Sequence, residues 1–271
     1  MQDDIKDYEI RRNKGLESIK ALSGADNPAA LADHIIADDG ALGSYALDFV
    51  MGDVWARKEL SGRDRSVIVL SILAILHQTN QLPFYTGGAL NHGLTPEEIR
   101  EVMTHLSLYA GFPRALDAMA AVNSVLAKAN GANGKKASND KEALPPAEQF
   151  TDEQRMATGA EVLARLSGGD ATDPQELLAS IVDRLGPIAD IGLKHGFGDA
   201  WARPQLSRRD RSLVTVSILT ALGRGAELEI HIPGAIRHGV TKVELEELML
   251  TAMAYAGAPL AVEAMQIVNQ Q

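Results

Sequence analysis

Trp55-Ala-Arg57, Arg63-Asp-Arg-Ser66 and Tyr109-Ala-Gly-Phe-Pro113 return in the same order as Trp201-Ala-Arg203, Arg209-Asp-Arg-Ser212 and Tyr255-Ala-Gly-Ala-Pro259. Each pair is offset by 146 positions, with no gap from Trp55 to Met119, and roughly 45% of positions in that stretch coincide. A match of that length and register predicts one module written twice. The modules are placed at residues 1–129 and 151–271. Between them, residues 130–150 are rich in Ala, Gly, Asn, Lys and Pro and read as a solvated linker.

Both copies spell the same helices. Asp64 to Leu76 and Asp210 to Leu222 are apolar on nearly every side after a charged start, the pattern of a helix in the middle of a bundle. The following segments end in His92-Gly93 and His238-Gly239, where glycine suits a helix C-terminus. Thr95-Pro-Glu-Glu98 then opens a new helix: Thr95 as N-cap, Pro96 at the first helical position, and Glu98 closing a capping box that Thr241 and Glu244 repeat. Ile99, Val102, Met103 and Leu106 follow at helical spacing, and Tyr109-Ala-Gly111 ends the helix. Ile5 to Val50 and Gln154 to His195 predict further amphipathic helices. No segment sustains period-two alternation, so the expected fold class is all-α, a helical bundle module in tandem.

Composition narrows the function. Of 271 residues 45% are hydrophobic but only 4% aromatic, so the core is Ala, Leu, Ile, Val and Met, which favours close-packed helices. A net charge of −10 repels phosphate backbones and argues against a nucleic-acid partner. There is no cysteine, which excludes disulfides, thiolate metal sites and cysteine nucleophiles together. The charged start, Met1 to Lys20, does not read as a signal peptide, and no apolar run is long enough to span a bilayer. A cytoplasmic protein with no membrane partner is expected.

The residues that carry chemistry are few. Glu227 and His231 stand four apart and share one helix face. Two readings are open: an ordinary surface pair, or a carboxylate that fixes the imidazole tautomer and raises its pKa for proton transfer near neutrality. Pro233 either kinks this helix beside His231 or ends it early. Glu229 points away from both neighbours and no second ligand cluster appears, so no metal and no cofactor are expected. His92 and His238 read first as cationic caps on helix C-termini, and His77 and His105 as incidental polar positions. Trp55 and Trp201 read as packing anchors or subunit contacts.

Taken in order, Arg65 or Arg211 opening a buried helix, Glu227 to Gly239 (ELEIHIPGAIRHG), Val240-Thr241, Tyr255-Ala-Gly257 and Pro259 resemble the carboxymuconolactone decarboxylase family, whose relatives include the AhpD-like alkylhydroperoxidases. The resemblance covers about 65 residues of each copy well. It implies an all-α module that assembles as homo-oligomers, often hexamers, so three tandem chains would rebuild a six-module ring. Peroxidase members carry Cys-x-x-Cys-x-x-x-His, whose cysteines fall here on Arg224 and Glu227, and on Gln78 and Gln81, so thiol peroxidase chemistry is excluded. Decarboxylase members resemble Glu-Leu-x-x-His, kept as Glu227-Leu-Glu-Ile-His231.

The resemblance thus implies a cofactor-independent lyase or isomerase of a small unsaturated carboxylate or lactone, with a role in aromatic-compound catabolism. Glu227 and His231 would be its acid–base pair, and Arg211, Arg224 or a backbone N–H would stabilise the developing enolate. In the first copy Tyr85 replaces His231 and Gln81 replaces Glu227. That copy would be scaffold, or would lend Tyr85 to substrate binding across the interface. The alternative is a non-catalytic ligand-binding or assembly protein of the same fold.

Overall fold

The computed structural model describes residues 2–133, 151–168 and 174–271, which are helical with no strand among them. Most of the expected linker, from 134 to 150, lies outside the described residues. The first module runs α1 (Gln2–Ser23), α2 (Pro28–Asp39), α3 (Ala41–Tyr45), a π-helical segment (Ala46–Trp55), α4 (Gly62–Ile75), α5 (Leu82–Asn91), α6 (Pro96–Ala110) and α7 (Phe112–Asn133). The second repeats it: α8 (Asp152–Ser167), α9 (Pro174–Leu185), α10 (Pro187–Gly192), a π-helical segment (Leu193–Ala200), α11 (Arg208–Ala221), α12 (Gly225–Arg237), α13 (Lys242–Tyr255) and α14 (Ala258–Val268).

Local chemistry fixes the ends of these helices. Ser61 and Ser207 cap α4 and α11 by accepting from the N–H of Asp64 and Asp210, each at 3.0 Å. Both threonine capping boxes form as expected. Gly93 and Gly239, just past α5 and α12, take φ of 91° and 93°, where only glycine is unstrained. The helix through Pro233 does not end early; α12 continues to Arg237. The π-helical segments were not anticipated. Their last turns close by i→i+5 bonds, Ala56 N–H to Met51 at 3.1 Å and Trp201 N–H to Gly196 at 2.9 Å. Each lies so close to the first helix of its module that a Cβ at Gly52 or Gly198 would stand 2.6 or 2.1 Å from the carbonyl oxygen of Arg11 or Arg155.

The two modules share one core. Buried Val67, Leu70 and Ile72 of α4 belong to the same apolar cluster as Leu213, Val216 and Ile218 of α11. Polar contacts across the join come in matched pairs. Arg63 donates to Asp210 at 3.0 Å and Arg209 to Asp64 at 2.9 Å. Arg65 donates to Glu247 at 3.2 Å and Arg211 to Glu101 at 2.8 Å. Each bond recurs with the modules exchanged, the signature of a pseudo-twofold relation between the copies. Among the described residues no helix is long and apolar enough to cross a membrane.

Candidate active site

The pseudo-twofold relation creates two sites, each built from both modules. The π-helical segments end in Trp55 and Trp201, so each indole is delivered to the end of the helix before the glycine turn of the other module. Trp201 Nε1–H donates to the Tyr109 hydroxyl at 2.9 Å, and Trp55 Nε1–H to the Tyr255 hydroxyl at 2.7 Å. Beneath each tyrosine lies a fully buried arginine, Arg211 or Arg65, paired with Glu101 or Glu247 of the opposite module. These arginines hold charge inside the core because each faces a carboxylate and a backbone carbonyl, that of Arg57 or Arg203.

Within this common frame the second site carries histidines. The His231 ring stacks on Trp201 (centroids 6.2 Å apart, planes at 19°) and meets Tyr109 edge-on at 5.8 Å. His231 Nδ1 is buried with no hydrogen-bond partner. His105, from the first module, stands behind Tyr109. Arg211 Nη1 lies 3.2 Å from His105 Nδ1, and His105 Nε2 lies 3.0 Å from Thr215 Oγ1. A guanidinium only donates, so Nδ1 accepts, the ring proton sits on Nε2, and it is donated to Thr215. Thr215 in turn hydrogen-bonds Tyr109. Arg211, His105, Thr215 and Tyr109 therefore form one buried chain.

Burial dominates the titration of these groups. It pushes the Tyr109 phenol up to about 12, against the bonds from Thr215 and Trp201. It holds His231 down to about 4, assisted by His238 and opposed by Glu227. His105 is held well below its ordinary value by burial, Arg211 and His231. Glu227 acts to raise the His231 pKa, as expected, but the net shift is downward because desolvation of the imidazolium outweighs the carboxylate.

The first site has the same frame and different contents. Tyr85 takes the place of His231, and the Tyr255 hydroxyl donates to it at 2.9 Å. Thr251 stands where His105 does and accepts from Arg65 at 2.7 Å. Burial raises both tyrosines, so neither exchanges a proton near neutrality.

The residues singled out from the sequence are spread over both sites. Glu227 is half-exposed, accepts from Arg224 Nε at 3.1 Å, and makes no hydrogen bond to His231, although its other carboxylate oxygen is buried without a partner. Arg224 is exposed and engaged by Glu227. Arg211 faces Glu101 and His105 inside the core. Tyr85 belongs to the first site; what crosses the interface to His231 is Tyr109 and His105. His92 and His238 do occupy the C-cap positions of α5 and α12, but burial lowers both, His238 to about 4, so they are not cations there. Each instead bonds a serine, Ser66 at 2.9 Å or Ser212 at 2.8 Å. His77 is exposed at φ 60° beside Asp117. His105, read as incidental, is fully buried and central. A lone histidine four residues before a Tyr-Ala-Gly helix end was its only signal. No group of three His, Asp or Glu is gathered as a metal site needs among the described residues.

Comparison with known proteins agrees with this duplicated arrangement. A profile of the carboxymuconolactone decarboxylase family matches residues 41–124 and again 190–270. The chain is 37% identical over 121 residues to a 4-carboxymuconolactone decarboxylase of Acinetobacter baylyi, using 45% of this chain and 89% of that one. It is 43% identical over 85 residues to the nitrosuccinic acid decarboxylase npaB of Metarhizium robertsii, using 31% of this chain and 59% of the relative, so under two thirds of that protein is spanned. Less than half of this chain suffices to match nearly all of the bacterial enzyme, as one module of two would. With both modules matched and both built on the same helices, the chain belongs to the carboxymuconolactone decarboxylase family.

Proposed function

We propose that the chain is a cofactor-independent carboxy-lyase of a small unsaturated carboxylate or lactone, and that the second site carries the reaction. The observation that supports this most is the contrast at one position: His231 presents a buried, unpartnered Nδ1 beside Tyr109, whereas the oxygen of its counterpart Tyr85 is taken by the Tyr255 hydroxyl. Decarboxylation breaks a C–C bond, leaves its electron pair in an adjacent unsaturated carbonyl, and then needs a proton at carbon. Tyr109 is the donor to the enolate oxygen. Its oxygen accepts from Trp201 and its phenol stays protonated, so its own hydrogen is available to a ligand. His231 carries the proton to carbon. It is neutral in the folded chain, and an anionic substrate beside it favours the charged form, so binding takes up a proton that the reaction then consumes. Glu227, with its unpartnered oxygen, supports that charge at a distance. Arg211 acts by holding His105 and Thr215 behind Tyr109, not by touching substrate.

The test is CO₂ release from 4-carboxymuconolactone and nitrosuccinate, the acids for which the relatives are named. The pH limb of kcat, set by the complex, is expected well above the limb of kcat/KM, set by the free enzyme. Coincident limbs would remove the proton-uptake step. Binding of these acids without turnover would leave the non-catalytic reading. The assembly proposed is a homotrimer of about 87 kDa, three 29.0 kDa chains closing a six-module ring. Exposed apolar residues recur at equivalent positions of both modules, Leu42 with Ile188, Tyr45 with Ile191 and Leu116 with Val262, as a repeated interface requires. A monomer by light scattering at micromolar concentration would contradict it.

A further inference from the structure

The protein carries a net charge of −10, yet one cavity of about 330 Å³ on the second module is lined by Arg165, Arg208, Arg237, His238 and Gly168. Among the described residues none of the three arginines makes an ion pair. Arg237 donates to the backbone carbonyls of Arg165 and Leu166 at the end of α8. Arg208 feels Glu161 through space without a hydrogen bond, and its Nη1 is buried with no partner. His238 Nε2 is likewise buried and unpartnered. Its Nδ1 lies 2.8 Å from Ser212 Oγ, for which no other acceptor is found among the described residues, so serine donates and the imidazole proton stands on Nε2. Two unmet buried donors and two further guanidinium groups thus surround one small cavity.

The first module supplies an internal control. Asn91 donates to the Leu22 carbonyl at 2.9 Å as Arg237 does to that of Leu166, and His92 bonds Ser66 as His238 bonds Ser212. By that correspondence Arg165, Arg208 and Arg237 stand where the first module has Ala21, Gly62 and Asn91. The backbone tie is therefore met without an arginine, and capping α8 does not account for the charge. The cavity at the equivalent place in the first module mixes Lys14 and Lys58 with Glu17, and its Arg57 is taken by Glu247.

We propose that this cavity is an oxyanion-binding site, in which Arg208 Nη1 and His238 Nε2 bond the anion directly while Arg165 and Arg237 supply charge; its ligand is a small carboxylate or phosphate. Bidentate guanidinium recognition is the chemistry it offers. His238 lies two helical turns from His231 on α12, about 10 Å along the axis, so this is a separate site and stands independently of the decarboxylase reading. Trp201 touches both histidines, with ring centroids 5.8 Å from His238 and 6.2 Å from His231, and reports on binding.

The test titrates the full chain with succinate and, separately, inorganic phosphate, by calorimetry and tryptophan fluorescence. One phosphate per chain is expected, and one succinate that the arginine substitutions below remove, each weakening with added salt. Binding of succinate alone makes the site carboxylate-selective; binding of phosphate as well makes it a general oxyanion site. Writing the first module's residues into the second, Arg165→Ala with Arg208→Gly and Arg237→Asn, is expected to weaken binding at least tenfold. Arg208→Ala alone guards against misfolding and should weaken it severalfold, whereas His231→Ala should leave it unchanged. No binding by the unaltered protein at tens of millimolar, or equal binding by the triple variant, would overturn the proposal.

Discussion

The two sites have the same walls and opposite interiors. Trp, Tyr, Arg and Glu occupy equivalent positions in both, and every bond between them is made across the module join. What differs is the group facing the tyrosine. In the first site it is another phenol, which accepts the Tyr255 hydrogen. In the second it is an imidazole, and the chain from Arg211 through His105 and Thr215 backs the tyrosine from behind. The difference teaches that the two copies share the frame that folds the protein and differ in the groups it encloses. The shared Arg–Glu pairs therefore report on stability, while the proposed chemistry turns on the unshared His231 and His105 and on the shared Tyr109 that faces them.

That division can be broken at its strongest point first. His231→Ala removes the proposed proton carrier and is expected to lower turnover by about 10²–10⁴, whereas Tyr85→Phe changes it by less than about twofold. Comparable losses from the two would make the first site catalytic too.

The shared frame predicts the converse. Glu101→Ala and Glu247→Ala each leave a buried arginine without its carboxylate, at a cost of about 3–5 kcal/mol in urea unfolding. The two losses should be alike. A marked inequality would mean that the frames are not equivalent.

A smaller effect comes from pH. His231 falls from an ordinary value near 6.5 to about 4 on folding, so the unfolded chain binds more protons between those values. Its contribution is fully present above about pH 6.5 and is lost as the pH falls toward 4. His105, His238 and His92 shift in the same direction, so His231→Gln should flatten only part of the decline in Tm. Tyr85, at the matching position, adds nothing in that window. An unchanged slope in His231→Gln would place His231 in water.

The fold was legible because its signals are local and written twice. Capping boxes and positive-φ glycines need only neighbouring residues to be read, and the 146-residue register needs only the sequence laid against itself. The candidate site was legible only in part. His231 stood out by its spacing from Glu227, but Tyr109 was read as helix punctuation and His105 as a stray polar residue, because their partners Trp201 and Thr215 lie about a hundred positions away. The sign of the His231 shift was misjudged for the same reason. A sequence displays the carboxylate four residues off, while the desolvation that outweighs it comes from the folded surroundings, including a tryptophan thirty positions upstream and a tyrosine of the other module. The π-helical segments carried no recognised pattern beyond glycines at close backbone contacts.

The central claim is that chemistry belongs to the second site and uses a tyrosine lent by the first module. Identical substitutions at the two equivalent tyrosines test it most directly. Tyr109→Phe removes the hydroxyl beside His231, and Tyr255→Phe removes its counterpart beside Tyr85. Each deletes one hydroxyl held by one indole N–H and one further hydroxyl, that of Thr215 or Tyr85, so their structural costs should be similar. Measured as kcat on the same substrate, Tyr109→Phe is expected to cost about 10²-fold, as loss of an oxyanion donor does, while Tyr255→Phe stays within about twofold. Equal losses, or a larger loss from Tyr255→Phe, would contradict the account.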